Sequence, residues 1–74
     1  MFAMRYKEIG LKIAYYRKKK GLTQAQLAEK VGKSTNYIGL LERGNNGKSF
    51  SVGTLFTISQ ALEVEPKELL SANL

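Results

Sequence analysis

The sequence predicts an all-α domain of five short helices. Three observations carry that reading. Apolar residues recur at helical spacing along most of the chain, at Ile9 and Ile13, then Leu27 and Val31, Ile38 and Leu41, and Leu55, Ile58 and Leu62. Capping residues precede these stretches at Thr23 and Ser34, and Pro66 marks a first helical position. Gly21, Gly32 and Gly44 fall where three of the stretches must stop.

Residues 5 to 20 read as the first helix, with Tyr6, Ile9, Ile13 and Tyr16 facing the core. Met1 to Met4 are expected to fray. Lys18, Lys19 and Lys20 fill the last turn, where positive charge complements the helix dipole. Dipole complement and a solvated face explain that run better than direct contact with a polyanion.

The second helix runs from about Gln24 to Val31. Thr23 and Gln26 have the spacing of a capping box, and Leu22 with Leu27 can form the hydrophobic staple. Leu27, Ala28 and Val31 make the inner face. Gln24 lies in the first turn, beside free backbone amides at a positive helix end, where phosphate binding is physically natural. A solvated polar residue is the plain alternative.

Gly32, Lys33 and Ser34 form a tight turn, and the third helix runs from about Thr35 to Arg43. Ile38 and Leu41 point one way. Thr35, Asn36, Gly39, Leu40 and Arg43 point the other. An ordinary surface helix would show Lys and Glu on that outer face. Here it carries amide, hydroxyl, methyl and guanidinium groups, which are what base edges and phosphates in a major groove require. Gly39 costs about 1 kcal/mol relative to alanine inside a helix. It either permits a close approach or reads nothing. The Tyr37 ring flanks the seam, and its hydroxyl can reach a phosphate or simply pack.

Asn45 to Phe50 form a loop rich in turn formers. Asn45, Asn46 and Lys48 line it and suit either solvent or a nucleic-acid backbone. The fourth helix starts near Ser51 or Val52 and ends near Leu62, with Leu55, Ile58 and Leu62 as its core stripe. Glu63 to Glu65 connect it to a short fifth helix from Pro66, in which Leu69 and Leu70 close the core. Phe56 and Leu74 are left as candidates for a dimer surface or as ordinary exposed apolar residues.

Seventy-four residues make one small domain, residues 1–74, with a helix-turn-helix unit at about 23–44. Such a chain buries only about 60–65% of its unfolded surface. It contains no cysteine and no histidine, which excludes disulfide stapling, a Cys/His zinc site and a Cys–His or Ser–His nucleophile. Twelve Lys and Arg against six Asp and Glu give a net charge of +6, which favours a polyanionic partner or a lysine-rich solvated surface. Arg5, Lys7, Lys12, Arg17 and Lys18 to Lys20 load the first helix, while Glu63, Glu65 and Glu68 load the tail. One end is therefore expected to face nucleic acid and the other to turn away. No apolar run can span a bilayer and no signal-peptide pattern is present, so a cytoplasmic protein is expected.

The ordered set Thr23-Gln24, Leu27-Ala28, Gly32, Ser34, Tyr37-Ile38, Leu41 and Glu42-Arg43-Gly44 resembles the helix-turn-helix of the Cro/C1-type (XRE-like) repressor family of bacterial and phage regulators. Ile9, Ile13 and Arg17, then Thr54-Leu55, Ile58 and Ala61-Leu62, then Pro66 to Leu70 extend the resemblance over nearly the whole chain. It implies a λ-repressor-like fold and a small dimeric transcriptional regulator that reads a pseudo-palindromic duplex operator. It implies base reading by Thr35, Asn36 and Leu40. It implies DNA-backbone contact by Gln24, Lys33, Ser34, Tyr37 and Arg43, extended by Asn45, Asn46 and Lys48 of the loop. It also implies a structural ion pair between Arg17 and Glu42. No cofactor, metal, small-molecule ligand, membrane contact or catalytic activity is expected. Lys33 departs from the family, where a small apolar residue often packs the turn; a lysine can bury its stem there and leave its ammonium near a phosphate. Three other readings stay open: an antitoxin-like module that binds a protein partner, a general nucleic-acid binder driven by charge, and an enzyme built on carboxylates or lysines.

Overall fold

The computed structural model describes the backbone of residues 2–44 and 51–70, and the side chains of residues 7–44 and 51–70. Five helices follow in order: α1 (Phe2–Lys19), α2 (Gln24–Val31), α3 (Thr35–Arg43), α4 (Val52–Leu62) and α5 (Pro66–Leu70). There is no strand among the described residues.

The starts and stops follow from local chemistry. Thr23 Oγ1 accepts from the Gln26 amide while the Gln26 side chain accepts from the Thr23 amide, which completes the capping box at α2. Ser34 Oγ accepts from the Tyr37 amide, and Ser51 Oγ accepts from the Thr54 amide. The first helix differs from expectation. It begins at Phe2, so residues 2–4 are helical rather than frayed, and it ends at Lys19. Ala3 and Met4 are good helix formers, and no glycine or proline lies between Phe2 and Ile9.

The core is Ile9, Ile13, Leu27, Ala28, Ile38, Leu41, Leu55, Ile58, Leu62 and Leu69, drawn from every helix. The apolar seam of α3 packs between α1 and α2, and α5 closes against α1 and α4. Tyr16, Leu22, Val31 and Tyr37 pack at its margin. Leu70 does not close the core with Leu69; it is 46% exposed. The side chain of Tyr6 lies outside the described residues.

Two glycines let α1 and the end of α3 approach closely. A Cβ on Gly10 would lie 2.2 Å from the Leu41 carbonyl oxygen and 2.7 Å from that of Glu42. A Cβ on Gly44 would lie 2.3 Å from Lys7 Cα, and Gly44 also sits at φ 60° in the left-handed region. Backbone cannot step aside, so both positions exclude a side chain. The result is that the C-terminal end of α3 is seated directly on α1.

Candidate nucleic-acid interface

The seat of α3 is reinforced by the pair expected between Arg17 and Glu42. Arg17 Nε lies 2.5 Å from Glu42 Oε2 and Nη2 lies 3.0 Å from Oε1. Both side chains are almost fully buried. The third guanidinium nitrogen, Nη1, donates to the Leu22 carbonyl at 2.8 Å. Arg17 therefore ties the end of α3 to the chain segment leaving α1, with its fork satisfied in three directions.

Gln24 joins the same network. Its Nε2 donates to Glu42 Oε1 at 3.0 Å. One N–H is thus committed inward, and this bond fixes which end of the carboxamide is nitrogen. The second N–H and the carbonyl oxygen remain at the first turn of α2.

The outer face of α3 is built from Thr35 and Asn36, which are exposed, and Leu40, which is half-buried. They stand on a helix held by Ile38 and Leu41 on its opposite side, both buried. Ser34 is committed as the N-cap through its oxygen lone pair, which leaves its O–H free to donate outward. Lys33 is exposed as a whole, and its ammonium stands 5.2 Å from the centre of the Tyr37 ring. That cation–π contact holds the charge above the turn. Lys33 also lines a shallow groove with Val31, Ser51, Gly53 and Thr54, so the turn and the start of α4 share one surface.

Gly39 lies on the outer side of α3 yet is buried. The point where its Cβ would lie is 3.8 Å from Gln24 Oε1, 3.9 Å from Gln24 Nε2 and 4.0 Å from Arg43 Nη2. Gln24 and Arg43, far apart in sequence, therefore meet across a glycine. Asn45, Asn46, Lys48, Phe50 and Leu74 lie outside the described residues.

Charge is less segregated than the sequence suggested. Lys12 is only 7% exposed and adds little to the basic surface of α1. Lys20 pairs with Glu63, and the Tyr16 hydroxyl donates to Glu68 Oε1 at 3.2 Å. The acidic tail thus folds back onto the end of α1 instead of turning away from it. Partial burial pushes the Tyr16 phenol up, and its bond to Glu68 adds to the shift. Lys19 stands over the Tyr15 ring, 5.6 Å from its centre. Two of the three lysines in the run therefore have partners within the domain.

Gly10 and the Gln24–Glu42 bond were not legible as site features. A glycine inside a long amphipathic helix was the available signal for the first, since its cost calls for a packing reason.

The helix-turn-helix family model matches residues 13–69, more than half of the chain. The chain belongs to the helix-turn-helix family of Cro/C1-type transcriptional regulators. This helix-turn-helix protein is 38% identical over 65 residues to the uncharacterised HTH-type transcriptional regulator y4dJ of Sinorhizobium fredii, covering 88% of this chain and 82% of that one. It is 44% identical over 64 residues to the HTH-type transcriptional regulator SlrR of Bacillus subtilis, covering 86% of this chain but 41% of that protein. Among solved structures, the restriction-modification controller protein C.AhdI of Aeromonas hydrophila superposes with a TM-score of 0.82 at 31% identity, over 90% of this chain and 94% of that one. The biofilm master regulator SinR, solved in complex with DNA, superposes with a TM-score of 0.78 at 36% identity, over 85% of this chain and 98% of that one.

Members of this family are DNA-binding regulators rather than enzymes. Among the described residues no cluster of acidic groups could hold a metal ion, and no helix is long and apolar enough to cross a membrane.

Proposed function

We propose that this helix-turn-helix regulator binds a pseudo-palindromic duplex operator as a homodimer, with α3 of each copy in the major groove. Thr35, Asn36 and Leu40 read base edges: an asparagine can bond adenine in bidentate fashion, and methyl groups can meet thymine. Gln24, Lys33, Ser34, Tyr37 and Arg43, with Asn45, Asn46 and Lys48 of the following loop, hold the backbone and set register. Its place of action is the cytoplasm, and its effect is control of transcription by occupying the operator. The observation that carries this reading is the outer face of α3. It combines exposed short polar groups with a helix end fixed by a buried, fully bonded ion pair. The likeness to SinR, solved with DNA, supports the same placement.

One such helix covers only a few base pairs, so useful specificity calls for two copies. Val52 and Phe56 lie one turn apart on α4 and are 68% and 51% exposed. They supply an apolar stripe for a second copy. Half-sites are then expected about 34 Å apart.

Selection of random duplex DNA on the protein at physiological salt tests the reading. Enrichment of a palindrome with half-sites about one helical turn apart supports it. Binding without enrichment, vanishing as salt rises, favours a general electrostatic binder. No binding favours a protein partner on the Val52–Phe56 stripe.

A further inference from the structure

We propose that Gln24, Gly39 and Arg43 form a single clamp for one DNA-backbone phosphate, in which Gly39 is the positioning residue. The proposal rests on the DNA-binding reading above. Its basis is the notch over Gly39. Gln24 Oε1, Gln24 Nε2 and Arg43 Nη2 stand 3.8, 3.9 and 4.0 Å from the place where a Cβ would be, so both side chains meet over the buried Gly39. In a helix, side chains lean toward the N-terminus, so Arg43 lies over the residue four before it. That residue is Gly39. Because Gly39 has no side chain, the guanidinium can lie back along α3 toward Gln24.

The donors suit a phosphate. Arg43 offers a planar fork of N–H groups that matches phosphate oxygens. Gln24 offers the N–H that Glu42 does not take. Glu42 is the one carboxylate bonded to this group, and it would repel an anion if its charge were uncompensated. Arg17 neutralises it through two bonds in the buried pair. The clamp is left with the positive charge of Arg43. Glu42 also sets the orientation of the Gln24 carboxamide, so the nitrogen rather than the oxygen is fixed on the Glu42 side. Two residues from different helices would then grip the same phosphate at the junction of α2 and α3, and this would set how deeply α3 enters the groove.

The arrangement makes Gly39 a selective test position. Nothing lies closer than 3.8 Å to its missing Cβ, so a side chain there does not collide with backbone. Leucine is also a far better helix former than glycine. Gly39→Leu is therefore expected to fold at least as stably as the wild type while filling the notch.

The experiment is duplex binding by fluorescence anisotropy across a salt series, with melting curves for every variant. The proteins are wild type, Gly39→Leu, Arg43→Ala, Gln24→Ala and the two double variants that pair Arg43→Ala with each of the others. Gly39→Leu is expected to lose about tenfold in affinity, and the slope of log affinity against log salt is expected to fall by about one phosphate contact. Arg43→Ala is expected to cost about tenfold in the wild type but under about twofold in the Gly39→Leu background, because residues sharing one contact are not additive. Gln24→Ala with Arg43→Ala is expected to lose clearly less affinity than the two single losses combined, because both residues hold one phosphate. This second pair keeps the test valid should Gly39→Leu melt early. Full additivity of the pairs, or Gly39→Leu binding like the wild type, would overturn the clamp and leave DNA binding intact. Failure of the wild type to bind any duplex would overturn both.

Discussion

Arg17 and Glu42 form a buried two-bond pair that joins the last turn of the first helix to the last turn of the third. A group on each side of the pair is also fixed by it: the Leu22 carbonyl through Arg17 and the Gln24 carboxamide through Glu42. The pair thus links three helices at the place where the DNA-facing side of α3 ends.

Removing one partner leaves the other charge buried. Arg17→Met is expected to cost about 3–5 kcal/mol in urea denaturation. Replacing both, as Arg17→Met with Glu42→Leu, removes the stranded charge, so the double variant is expected to be more stable than the Arg17→Met variant. A double variant whose loss equals the sum of the two single losses would show that the partners act independently.

Two glycines in helices should respond to alanine with opposite signs. At Gly10 the new methyl meets two backbone carbonyl oxygens closer than 3 Å. Gly10→Ala is expected to destabilise by about 1–3 kcal/mol despite the better helix propensity of alanine. At Gly39 the methyl meets ordinary contacts no closer than 3.8 Å. Gly39→Ala is expected to stabilise by about 1 kcal/mol. Thermal melts of the two variants check the pair, and equal effects would contradict the close seating of α3 on α1.

Glu63 carries two opposing effects. The hydrogen bond from Lys20, then the charge of Lys20, hold its carboxyl below the usual value. A lowered folded pKa contributes stability that is present above the unfolded value, about pH 4.3, and is lost as pH falls through the folded value. Glu63 is also the one non-glycine among the described residues with positive φ, at 60°. Glu63→Gly removes the ion pair and relieves the backbone. It is expected to melt above the wild type in acid, where the ion pair is already protonated away, with the gap narrowing toward neutral pH. A gap that widens toward neutral pH would contradict the assignment.

Much of the fold was legible because its punctuation is local. Thr23, Ser34 and Pro66 each act within a turn of their own position, and the boundaries of α2, α3 and α5 follow from them. The start of α1 was less legible because residues 2–4 contain no breaker and no cap, so composition alone sets no edge there. Tertiary relations were harder. Gly10 is explained only by the carbonyls of Leu41 and Glu42, more than thirty residues away. The return of Glu63 to Lys20 depends on how α4 and α5 fold back, which charge counting does not encode. The Arg17–Glu42 pair came from family resemblance, while the bond from Gln24 to Glu42 emerged from geometry. Periodicity puts Gly39 on the outer face, but its burial under Gln24 and Arg43 does not follow from spacing.

Base reading by the outer face of α3 is probed at Asn36. The measurement is parallel selection of random duplexes on the wild type and on Asn36→Ala, followed by sequencing of both pools. The wild type is expected to select a palindromic motif, and Asn36→Ala the same motif with one position per half-site made degenerate. That lost preference is worth about 1–3 kcal/mol. An unchanged motif, or a uniform loss of binding across all sequences, would contradict base reading by this face.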